Sequence, residues 1–168
     1  MKAFGDPTEL VESVDEAKKH IVPRVIFWRR RWEEFSPPPG IEWKWQSVPF
    51  AKSSAKKIPD KEHGLYTFVL CPKVAAHPKN HLVLYVGKAE RTSLRKRFQH
   101  YLQEMKKVKR AHVCYALNKY NSYLEFCFIT VQNQEDIGPG EDALLTALMP
   151  PYNEQFPASV NQIISGLR

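Results

Sequence analysis

The sequence predicts an α+β fold, and three observations carry that expectation. Three β-rich runs, at residues 64–71, 81–87 and 123–131, are short and bounded by turn signals. The segments around them repeat apolar residues at helical spacing. No apolar run approaches the roughly 18 residues of a membrane-spanning helix. With 168 residues and 43% hydrophobic side chains, the chain suits one packed domain with an N-terminal extension.

Taken in order, residues 8–21 read as an amphipathic helix. Thr8 is the candidate cap, and Leu10, Val11, Val14, Ala17 and Ile21 form its apolar stripe. Residues 25–35 form a second expected helix, stopped by Pro37-Pro38-Pro39-Gly40. The alternation of Ile41, Trp43 and Trp45 suits a strand over 41–50. Residues 51–62, polar and interrupted by Pro59, read as a linker or mobile loop. The runs at 64–71 and 81–87 form a hairpin. Thr92 or Ser93 caps the next helix, on which Leu94, Phe98, Tyr101, Leu102, Met105 and Val108 share one face and Arg97 sits at its margin. A helix over 111–119, a buried strand over 123–131 and a helix over 141–149 complete the series. Gly140 precedes that last helix and Pro150-Pro151 stops it. The expected organisation is an N-terminal arm of helices and extended chain (1–61), a core domain (62–155) and a short tail (156–168). The Trp- and Arg-rich arm either covers one side of the sheet or serves as a DNA-contacting or dimerising element.

Charge is concentrated. Residues 88–110 hold nine basic side chains against Glu90 and Glu104, a net of +7 that equals the net of the whole chain. A local positive surface of this kind attracts a polyanion. Cys71, Cys114 and Cys127 are odd in number, far apart and without a CxxC, which argues against zinc and for free thiols in a reducing, cytoplasmic setting. Residues 1–20 lack the apolar core of a secretory signal.

Five pieces in fixed order carry the chemistry: Gly64-Leu65-Tyr66, Tyr85-Val86-Gly87, Arg97 four residues before Tyr101, Glu141-Asp142-Ala143-Leu144-Leu145, and Pro150-Pro151-Tyr152-Asn153. Together they resemble the GIY-YIG nuclease superfamily over about 90 residues. The resemblance implies a small three-stranded antiparallel sheet flanked by helices. It also implies hydrolysis of phosphodiester bonds by a Mg²⁺- or Mn²⁺-dependent endodeoxyribonuclease. Glu141 would be the metal ligand, and Tyr66, Tyr85, Lys88, Arg97, Tyr101 and Asn153 the catalytic set. Ten residues separate Gly87 from Arg97, which leaves Arg95 as the alternative catalytic arginine; the spacing to Tyr101 favours Arg97.

These residue types fit the chemistry. A carboxylate and retained waters suit Mg²⁺. A guanidinium grips phosphate oxygens in two places. A tyrosine hydroxyl can orient water and, if cations lower its pKa, take a proton from it. Lys88 adds charge or helps to deprotonate the nucleophile, and Tyr101 or His100 could join the proton network. Arg91, Arg95, Lys96, His100, Lys106, Lys107, Lys109 and Arg110 form the expected nucleic-acid surface. Taken singly, Tyr66 and Tyr85 are ordinary strand residues, and Glu141 is a first-turn helix carboxylate. The expected partner is DNA, as duplex, rather than RNA or a membrane, with a homo-oligomer left open. The expected role is a stand-alone restriction or phage-defence nuclease. The alternatives are a structure-specific repair nuclease and a non-catalytic nucleic-acid-binding module on the same fold.

Overall fold

Alternation along residues 64–70 decides how the chain folds around them. Leu65 faces one side of the sheet and Tyr66 and Phe68 the other, and all three are buried, so both faces of the strand need cover. The computed structural model describes residues 6–17, 28–72, 80–106 and 111–166. Within them the order is α1 (Pro7–Ala17), α2 (Arg29–Glu33), β1 (Gln46–Pro49), β2 (Gly64–Leu70), β3 (Leu82–Ala89), α3 (Leu94–Glu104), α4 (Ala111–Tyr120), β4 (Leu124–Thr130), α5 (Gln134–Leu148) and α6 (Ala158–Gly166).

The sheet is antiparallel and has four strands, ordered β1-β4-β2-β3. This corrects the three-stranded expectation. The fourth strand comes from the alternating segment assigned to the arm, where Gln46–Pro49 pairs with Phe128–Glu125. The 51–62 segment is likewise not a loose linker. A 3₁₀ turn over Lys52–Lys57 buries Ser54 and Ala55, and Ile58 is fully enclosed. An aromatic core (Tyr66, Phe68, Phe98, Tyr101, Phe126, Phe128) fills one face beneath α3. An aliphatic core (Leu65, Val86, Ile129, Ile137, Leu144, Leu145) fills the other, beneath α5.

Local signals set the helix limits. Asp6, not Thr8, caps α1, accepting from the Thr8 N–H at 2.8 Å with Pro7 at the first helical position. Residues 18–27, expected to finish this helix and begin the next, lie outside the described residues. Ser93 caps α3 by accepting from the Lys96 N–H at 3.3 Å. The largest departure is α5. It starts at Gln134 and carries Pro139 inside it, so Glu141 lies past the second turn rather than in the first. Proline here removes one backbone donor. Gly140, lacking a Cβ, lets the helix press against Ile41 and Leu65; an added Cβ would lie 2.7 Å from Leu65 Cδ1. Among the described residues no helix is long and apolar enough to cross a membrane.

Candidate active site

Tyr66 stands at the centre of β2, opposite Gly87 on β3. Its ring lies across that glycine: a Cβ at position 87 would be 2.6 Å from Tyr66 Cζ and 2.8 Å from Tyr85 Cε1. No side chain fits there, so the Tyr-Val-Gly run has a steric reason for its last residue. The Tyr66 ring also stacks on Phe126 at 5.1 Å and on Tyr85 at 6.4 Å.

The Tyr66 hydroxyl is fully buried and meets two partners from α3. It lies 2.9 Å from the Tyr101 hydroxyl and accepts from Arg97 Nε at 3.0 Å. Arg97 Cζ stands 5.3 Å over the Tyr101 ring. Residues 97 and 101 are one helical turn apart, so α3 delivers both to the same point. Burial, reinforced by the neighbouring Tyr85, pushes the Tyr66 hydroxyl well above the ordinary tyrosine range, and Arg97 offsets only part of this. The condition under which Tyr66 could take a proton from water, a pKa lowered by nearby cations, is therefore not met. Tyr66 and Tyr101 are enclosed residues that aim Arg97. Desolvation works against the Arg97 charge, but Tyr66, Tyr101 and Tyr85 outweigh it and hold the guanidinium above its usual value.

Of the two arginines considered, Arg97 is the one that reaches Tyr66. Arg95 donates from Nε to the Ile58 carbonyl at 2.8 Å and pairs with Asp60 at 3.3 Å, fastening the 3₁₀ segment to α3. It is thus engaged within the chain rather than presented to a ligand.

Across β3, α5 supplies Glu141. Its carboxylate faces Lys88 Nζ at 3.3 Å, and Lys88 lies 3.5 Å from Glu90. Desolvation raises the Glu141 pKa even though Lys88, and more weakly Arg97, pull it down. Lys88 stands above its ordinary value, because the two carboxylates outweigh its desolvation. It is therefore a stable cation rather than a ready proton acceptor.

Asn153, expected among the catalytic residues, is committed to the backbone. Its Oδ1 accepts from the Val86 N–H at 2.9 Å, and its Nδ2 donates to the Val86 carbonyl at 2.8 Å. The adjacent Tyr152 N–H donates to the Leu84 carbonyl at 3.1 Å. Asn153 therefore pins the segment after α5 to the open side of β3 as a positioning residue.

Tyr85, Glu141 and Asn153 all line a cleft of about 440 Å³ between β3, α5 and residues 152–157. Sequence reasoning missed two contributors: Glu90, the second partner of Lys88, and the aromatic wall formed by Tyr152 and Phe156. Of the expected nucleic-acid surface, Arg91, Lys96, His100 and Lys106 are exposed, and Lys96 and His100 share a face of α3. Lys107, Lys109 and Arg110 lie outside the described residues.

The donor chemistry at Glu141 suits a hard divalent cation that keeps most of its waters. Among the described residues no three His, Cys, Asp or Glu side chains converge on one point. This excludes an all-protein cage there but not the one carboxylate, waters and substrate oxygens that Mg²⁺ accepts.

Comparison of the chain with protein-family models, curated proteins and solved structures gives no match.

Proposed function

We propose that the chain is a metal-dependent DNA endonuclease. The observation that carries this reading is the guanidinium of Arg97, held by the buried Tyr66 hydroxyl, together with the half-buried Glu141–Lys88 pair whose carboxylate lines the cleft. Glu141 would hold Mg²⁺ or Mn²⁺, which when bound supplies Lewis-acid polarisation of the phosphate and eases ionisation of water. Arg97 grips the non-bridging phosphate oxygens, where charge accumulates as the phosphorus becomes five-coordinate. Tyr85, lining the cleft beside Glu141, orients the attacking water. Lys88 remains protonated and balances charge on the phosphate. Arg91, Lys96, His100 and Lys106 guide the backbone toward this point, with salt-dependent affinity. The role is a stand-alone restriction or phage-defence nuclease or, alternatively, a structure-specific repair nuclease.

A second reading, a nucleic-acid-binding module without catalysis, draws on the ion pair that already engages Glu141. Cleavage of supercoiled and branched DNA in Mg²⁺, Mn²⁺ or EDTA separates the two. Discrete products from the wild type, lost with Arg97→Ala, Glu141→Ala or EDTA, support the nuclease. Salt-sensitive binding without cleavage under every condition supports the module.

A further inference from the structure

The cleft beside Glu141 has a character that phosphate binding does not explain. Three carboxylates line it, from Glu141, Asp142 and Glu154, and among the described residues no lysine or arginine does. A phosphate placed inside would lie among these carboxylates. Lys88 pairs with Glu141 at 3.3 Å without itself lining the cleft, and further cations lie along α3. The cleft wall is also aromatic, with Tyr85, Tyr152 and Phe156. Its volume of about 440 Å³ falls in the small-molecule range of roughly 300–1,000 Å³. An uncharged, flat, donor-bearing group matches all three properties.

We infer that this cleft receives an unstacked nucleobase adjoining the phosphate at Arg97 and Glu141. The inference rests on the nuclease reading for its placement and deepens it by naming the substrate class. A strand whose backbone follows Lys88 and Arg97 brings its neighbouring base to the mouth lined by Tyr85. Aromatic rings offer stacking to any base. Asp142, Glu154 and the Gln155 amide read the hydrogen-bonding edge. A carboxylate accepts, so it favours edges rich in N–H groups. Guanine offers two parallel donors, N1–H and N2–H. Thymine offers one donor between two carbonyls that a carboxylate repels. A paired base reaches the cleft only after leaving its stack, and an unpaired one avoids much of that cost. The preferred substrate is therefore DNA with an unpaired nucleotide, guanine above thymine, next to the cleaved bond.

The test measures binding of short duplexes, matched or carrying one unpaired nucleotide, in Ca²⁺ so that affinity is read apart from cleavage. A parallel series places 2-aminopurine at the unpaired position to report base environment by fluorescence. The unpaired duplexes should bind about 10- to 100-fold more tightly than the matched one, with guanine above thymine. Asp142→Asn and Glu154→Gln, both at exposed positions, should collapse the guanine-to-thymine ratio. Equal affinity for matched and unpaired duplexes, or a ratio unchanged in both variants, would overturn the inference. A preference for unpaired guanine in a protein that never cleaves in Mg²⁺ supports the cleft assignment and overturns the nuclease reading alone.

Discussion

The polar contacts around Tyr66 lie inside the aromatic core, whereas those around Glu141 form the wall of an open cleft. In the first set the Tyr66 hydroxyl meets the Tyr101 hydroxyl and Arg97 Nε among packed rings. The second set can exchange partners, because Lys88 has two carboxylates near it and water at hand. The difference separates placement from chemistry. On the proposed reading, the α3 half sets where a phosphate is held, and the α5 half exchanges an ion pair for a ligand.

The comparison can be broken hardest at the closed half. Tyr66→Ala should cost about 3–5 kcal/mol by emptying a fully buried aromatic site, read as a lower urea midpoint. Tyr66→Phe keeps the ring but strips Arg97 and Tyr101 of their shared partner, for a loss of about 1–3 kcal/mol. If Tyr66→Phe is as stable as wild type, the hydroxyl network does not hold this half together. Gly87→Ala should cost a similar ~1–3 kcal/mol by forcing the Tyr66 and Tyr85 rings apart.

The two arginines sharpen the same comparison. On the proposed nuclease reading, Arg97→Ala should reduce cleavage about 100-fold or more. Arg95→Ala should lower stability by about 1 kcal/mol through the lost Ile58 contact and leave cleavage near wild type. Equal losses of activity would mean that Arg97 is not singled out by its contact with Tyr66.

At the open half, Asn153→Ala should cost about 1–2 kcal/mol and speed hydrogen exchange at the Val86 amide. Glu141→Gln gives the smallest stability effect, and with the opposite sign. A carboxyl group whose pKa is raised on folding favours the native state while protonated, and that contribution is lost as pH rises through the folded pKa. The glutamine variant should therefore melt slightly above wild type at neutral pH, with the difference vanishing in acid, while losing cleavage. A lower melting temperature at neutral pH would show that the pair with Lys88 outweighs desolvation.

How far the sequence discloses this arrangement follows from the range of each signal. The hairpin, α3 with its stripe, and β4 are local patterns, and they lie where period and turn residues put them. Arg97 is legible at the margin of the α3 stripe because helical spacing alone sets that position. The start of α5 is not legible, since Gly138-Pro139-Gly140 has the composition of a break. It becomes helix because Gly140 must lie against Ile41 and Leu65, a contact made across nearly the whole domain. The alternation of Ile41, Trp43 and Trp45 points to a strand over 41–50, but β1 forms only at Gln46–Pro49, past those three residues, and nothing local discloses that β4 is its partner. The high pKa of Tyr66 is hidden for the same reason. A nearby arginine suggests a lowered value, and only the packed rings reveal that burial dominates.

The grip of Asn153 on Val86 also bears on self-association. β3 is a terminal strand, and a terminal strand offers its unpaired backbone groups to any other extended chain. At Val86 both groups are already taken by a side-chain amide, which supplies the donor and the acceptor a fifth strand would bring. The neighbouring Leu84 carbonyl is occupied by the Tyr152 amide. The Asn153 side chain thus covers this stretch of the edge, and its loss would open that margin to growth of the sheet by another molecule.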